Sequence, residues 1–121
     1  MLFALLLSAF GLSATSISVS ASPVSSKIAS LSETSFSIKV TSTSVGKAYI
    51  EYGYNKNSYS SKTAILSLAK TTPTIFLVDG LKSEAKVFYR VRYALGTKKT
   101  FSALNQESVN TLKSGEEFTF A

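Results

Sequence analysis

Val78-Asp-Gly-Leu-Lys-Ser-Glu-Ala-Lys-Val-Phe-Tyr-Arg-Val-Arg-Tyr93 decides how the 121-residue chain is read. Asp79-Gly80 is a turn signal, Leu81 a lone apolar residue, and Lys82 to Lys86 a short polar crossing. A strand then runs from Val87 to Tyr93. Val87, Tyr89, Val91 and Tyr93 share one face, Phe88, Arg90 and Arg92 the other. Alternation with β-branched and aromatic residues marks a strand buried on one side.

The same period recurs outward from this stretch. In Ser35–Thr43, Phe36, Ile38 and Val40 point inward and Ser37 and Lys39 outward. In Lys47–Tyr54, Ala48, Ile50 and Tyr52 oppose Lys47, Tyr49 and Glu51. Val24–Leu31 is a weaker strand after Pro23, with Ile28 and Leu31 toward the core, and Ile75–Val78 is a short one. Tyr59–Lys70 reads either as a short helix or as a strand over Thr63–Leu68, and its Ser-rich flanks favour the strand. Glu107–Thr111 supplies the last strand of the set. Short strands, turn signals between them and no long helical period predict an all-β sandwich of about seven strands.

Composition narrows the chemistry. There is no Cys, His or Trp, and Asp79 is the one aspartate among seven acids. Disulfides, imidazole metal sites and His-based catalytic triads are therefore excluded for this chain. The net charge of +6 permits weak attraction to polyanions, yet the basic residues are spread out, with Lys98-Lys99 the one adjacent pair. Such a pattern suits a solvated surface and no specific nucleic-acid partner. Gly80, Gly96 and Gly115 are isolated, so no phosphate-cradling glycine loop exists. No Asn-x-Ser/Thr sequon occurs.

Met1–Leu12 is apolar and too short to span a bilayer, which takes about 20 residues. It reads as a signal-peptide core, although no Lys or Arg precedes it, and Val19-Ser20-Ala21 has the small residues that precede cleavage. The alternative is a hydrophobic first strand. The expected organisation is a signal peptide over 1–21, a sandwich over 22–112, and a linker with the start of a further strand over 113–121. An exported, extracellular protein is the consequence of that reading.

Ala48-Tyr-Ile-Glu-Tyr-Gly53, Asp79-Gly-Leu-Lys82 and Phe88-Tyr-Arg-Val-Arg-Tyr93 resemble the fibronectin type III-like domain of secreted metallophosphoesterases, the purple-acid-phosphatase-like group. The resemblance covers about Pro23 to Thr111 and implies a fibronectin type III, immunoglobulin-like sandwich in which Leu81 plugs the core beneath the crossing. Ser83 stands where that family has Pro, Val87 where it has the corner tyrosine, and Val40 near a core Trp. Tyr89 would replace the lost bulk. Phe101-Ser-Ala103, Glu107–Thr111 and Phe118-Thr-Phe-Ala121 come in the family's order. The resemblance implies that Phe118–Ala121 opens a catalytic domain whose two metal ions are bound beyond this chain, leaving no catalytic, cofactor or metal residue here. A strand after Lys113-Ser-Gly115 is expected to lack a partner inside the sandwich.

Two roles compete: an accessory module preceding a metallophosphoesterase domain in the same polypeptide, or an adhesion, surface or carbohydrate-binding module of an unrelated secreted protein. For the first, the candidate docking face is Tyr49, Glu51, Phe88, Arg90 and Arg92, with Phe88 and Tyr49 as anchors; otherwise these residues form an ordinary amphipathic sheet face. Leu81, Val87, Tyr89 and Val91 are the candidate core. Tyr52, Tyr54 and Tyr59 with Lys56 and Lys62 form a second cluster of stacking and basic residues, which packs a loop unless it binds sugars or bases.

Overall fold

In a computed structural model, residues 22–114 and the backbone of 117–119 are described. The expected signal peptide lies outside them. Among the described residues ten strands run in chain order: β1 (Val24–Ser32), β2 (Phe36–Ser42), β3 (Gly46–Gly53), β4 (Ser61–Lys62), β5 (Leu66–Leu68), β6 (Thr74–Val78), β7 (Lys86–Leu95), β8 (Ser102–Ala103), β9 (Glu107–Asn110) and β10 (Glu117–Thr119).

They form two antiparallel sheets. Sheet I has the order β10-β1-β2-β6. Sheet II has β7 and β3 at its centre; β8 and β9 succeed one another along β7, and β4 and β5 along β3. Joining those interrupted edges gives a three-strand sheet facing a four-strand sheet, an all-β sandwich, with β10 added at the edge. The ambiguous Tyr59–Lys70 segment is thus two short strands on β3, not a helix.

Alternation builds the core. Phe36, Ile38, Val40, Phe76 and Val78 from sheet I meet Ala48, Ile50, Val87, Tyr89 and Val91 from sheet II, all buried. The Phe36 and Tyr89 rings bridge the sheets with centroids 5.3 Å apart. Burial pushes the Tyr89 phenol up to about 12, with Glu107 adding to the effect, so the ring stays uncharged near neutrality. Ser37 points outward yet is buried, its hydroxyl 2.5 Å from that of Ser30 across the β1–β2 pair.

The crossing from β6 to β7 is the tightest local construction. Gly80 takes a left-handed φ of 70° that a side chain would strain. Leu81 then drops into the core, 6% exposed, while its N–H donates to the Thr34 carbonyl at 2.9 Å. Burying such a side chain stabilises by roughly 1.5–3 kcal/mol. Val87, which carries no hydroxyl, is wholly buried at this corner. Thr111 does the pinning instead. Its buried hydroxyl donates to the Lys82 carbonyl at 2.6 Å and accepts from the Ala85 N–H at 2.8 Å. The Thr111 N–H donates to the Ala85 carbonyl at 2.9 Å, and the Glu84 N–H to the Leu112 carbonyl at 3.1 Å. From the other side, the Lys82 N–H donates to the Tyr54 hydroxyl at 3.1 Å.

The expectation that a strand after Lys113 lacks a partner inside the sandwich is overturned. The backbone of β10 pairs antiparallel with β1, Glu117 opposite Ser32 and Thr119 opposite Ser30. The free edge of β1 offered unpaired N–H and C=O groups, and an extended segment arriving from β9 satisfies them. The strand is therefore the outermost member of sheet I.

Thr111→Val keeps the shape of the side chain and removes the hydroxyl, leaving the Lys82 carbonyl and Ala85 N–H short of a partner. A loss of about 1–3 kcal/mol is expected, with Thr111→Ser close to the parent. Leu81→Ala should cost about 2–5 kcal/mol through the cavity it leaves. Thermal midpoints check both. A Thr111→Val midpoint equal to the parent's would remove Thr111 from its pinning role.

Candidate functional site

The outer face of sheet II is set by the register of its two central strands. Pairing of Tyr49 with Arg92, Glu51 with Arg90 and Gly53 with Phe88 places all five sequence-predicted face residues on one surface. In an antiparallel pair, directly opposed side chains lie close enough to interact. The Glu51 carboxylate accepts from Arg90 Nε, and from Arg92 Nη1 at 3.3 Å. It is therefore shared between two guanidiniums.

Glu51 is more enclosed than an exposed ion pair would be: its side chain is 14% accessible, against 33% for Arg90 and 24% for Arg92. The hydrogen bond that Arg90 donates to Glu51 holds its guanidinium above the ordinary arginine range, more than offsetting the effect of burial. Arg92 also donates through Nη2 to the Phe101 carbonyl at 3.2 Å. Its Nε is buried and has no hydrogen-bond partner among the described residues.

Aromatic rings and cations cover the rest of the face. Tyr49 meets Phe101 edge-on with centroids 5.2 Å apart. The Lys47 ammonium lies 5.6 Å from the Phe101 centroid and that of Lys62 lies 5.5 Å from Tyr49. Arg90 stacks over Tyr59 at 4.7 Å. Tyr59 is fixed in turn by its hydroxyl, which donates to Gln106 Oε1 at 2.6 Å, and the Asn57 N–H donates to the same oxygen at 2.7 Å. Such cation–ring contacts contribute about 0.5–1 kcal/mol each at exposed sites.

On this face Phe88 and Tyr49 lie apart: the Glu51–Arg90 pair stands between their positions, and Lys86 lies over Phe88 at 5.7 Å. The tyrosine cluster is also divided. Tyr52 packs against the core, Tyr54 binds the crossing and carries Lys82 5.2 Å above its ring, and Tyr59 joins the outer face. Phe101, Tyr59 and Gln106 were not legible as members of the face, since loops bring them there. Among the described residues no three His, Cys, Asp or Glu converge on a point. The metal pair implied by the resemblance has no donor set here, so no metal chemistry is assigned to the described residues. No helix among them is long and apolar enough to cross a membrane.

Glu51→Gln should destabilise by about 1–3 kcal/mol, because two guanidiniums then face each other around a neutral amide. Arg90→Ala leaves Glu51 paired with Arg92 and should cost less. Chemical denaturation checks the order. Arg90→Ala costing more than Glu51→Gln would contradict a shared carboxylate.

Compared with protein-family models, with curated proteins and with solved structures, the chain matches none.

Proposed function

We propose that the chain is a non-catalytic accessory module of an exported metallophosphoesterase, docking through the outer face of sheet II against a catalytic domain in the same polypeptide. The observation that carries the docking role is the composition of this face: the partly accessible Arg90 and Arg92 guanidiniums share Glu51 beside the Tyr49, Phe101 and Tyr59 rings. Arginine and aromatic side chains are the types enriched at the centres of interfaces.

The catalytic assignment of the neighbour rests on the resemblance of Ala48–Gly53, Asp79–Lys82 and Phe88–Tyr93 to that family. The absence of His and Cys from the whole sequence supports a non-catalytic role for this chain. The position of β10 lends the reading no support, since pairing with β1 accounts for it within the sandwich.

Reading the coding sequence beyond Ala121 tests the proposal. An Asp-x-His motif shortly after Ala121 is the expected outcome; another sandwich repeat or a stop codon there contradicts it. In the longer polypeptide, Arg92→Ala should loosen the contact between domains, read as faster proteolysis between them. Unchanged proteolysis would remove Arg92 from the interface.

A further inference from the structure

The lysines are spread through the sequence, but the fold gathers several of them. Register places Val24 beside Ser42, Val40 beside Thr74, Gly46 beside both Leu68 and Leu95, and Tyr93 beside Ser102. The turn before β3, the segment before β6 and the loop after β7 therefore share one pole of the sandwich. Lys47, Lys70, Lys98 and Lys99 belong to it. The acids lie elsewhere among the described residues: Glu33, Asp79 and Glu84 on turns at the opposite pole, Glu51 and Glu107 within sheet II, and Glu117 in β10 opposite Ser32.

This pole carries an open trough of about 600 Å³. Lys47, Lys98 and Lys99 line it with Ser67, Thr97 and Leu68, and no acid or aromatic residue contributes to the lining. Backbone contacts hold its walls. The Gly96 N–H donates to the Val45 carbonyl at 2.9 Å, and the Thr71 N–H to the Ser42 carbonyl at 2.8 Å, beside the Ser42–Lys70 bridge. Gly46 lets the first wall sit against β7, since a Cβ there would stand 2.5 Å from the Ala94 carbonyl oxygen. Each ammonium is a compact point charge on a flexible stem. Three lysines contribute to the lining, the Lys47 ammonium resting over the Phe101 ring at its edge, and with no lining acid to neutralise them they form a site for anionic groups.

We propose that this trough binds a linear acidic polysaccharide through its sulfate or carboxylate groups, with Lys47, Lys98 and Lys99 as the contacts and Lys70 extending the track. A polymer fits better than a lone anion, because single exposed charge pairs are weak and several must act together. Single-stranded nucleic acid is disfavoured, since its general binding sites add aromatic platforms for the bases and none lines the trough. Ser67 and Thr97 offer donors and acceptors suited to sugar hydroxyls. The site is built from residues of the sandwich itself and needs no neighbouring domain.

The test is titration of the full chain with fluorescent dextran sulfate, neutral dextran and an oligothymidylate of equal charge number, at low and high salt. Dextran sulfate should bind, more weakly as salt rises, and neutral dextran should not. The triple variant Lys47→Gln, Lys98→Gln, Lys99→Gln should weaken binding by about tenfold. Lys27→Gln, Lys39→Gln and Lys56→Gln together make the same charge change away from the trough and should weaken it far less. Circular dichroism melting shows whether each variant is folded; if the first is not, Lys98→Gln with Lys99→Gln on the exposed loop replaces it, with a smaller loss expected. Equal losses from trough and control variants would reduce the effect to net charge and overturn the proposal. Tighter binding of the oligothymidylate, or no binding of dextran sulfate at low salt, would overturn it as well.

Discussion

The hydroxyl of Thr111 and the side chain of Leu81 hold one crossing from opposite sides, and the sandwich depends on that crossing. The β6–β7 connection carries the chain from sheet I to sheet II, so its geometry sets how the two sheets face each other. Leu81 ties the crossing to the apolar interior. Thr111 ties its backbone to the chain leaving β9. The register at which the crossing delivers β7 to its ladder with β3 matters, because a one-residue slip would exchange the inward and outward faces of the strand. The core residues Val87, Tyr89 and Val91 and the face residues Phe88, Arg90 and Arg92 then could not both keep their places.

Much of this was legible because burial imposes a period of two. Phe36, Ile38 and Val40, then Ala48 and Ile50, then Val87, Tyr89 and Val91 are inward in the sequence pattern and buried in the structure. Leu81 stood out as an apolar residue among polar ones after a turn. Thr111 did not, because a threonine at the end of a strand looks the same whether its hydroxyl meets water or a buried carbonyl. The partner of β10 was illegible for a related reason: edge pairing is made by backbone groups, which carry no sequence signature.

Both candidate surfaces show the same division between local pattern and long-range assembly. Glu51, Arg90 and Arg92 could be placed on one face from alternation alone, and they form a shared ion pair. Their enclosure comes from Phe101 and Tyr59, delivered by loops remote in sequence. Likewise Lys47, Lys70 and Lys98-Lys99 look scattered along the chain, and only the registers of β3, β5 and β7 bring them to one pole. The protein thus presents two adjoining surfaces, an aromatic and arginine face on sheet II and a lysine trough without a lining acid at one end, with Lys47 common to both.

Native-state hydrogen exchange tests the central role of the crossing most directly. The amides of Leu81 and Ala85 are bonded to Thr34 and Thr111 rather than to a neighbouring strand. If the crossing holds the two sheets in place, these amides exchange only when the whole domain unfolds, with the same opening free energy as the central amides of β2 and β7. Exchange of Leu81 and Ala85 through a cheaper local opening, while β2 and β7 remain protected, would contradict the account.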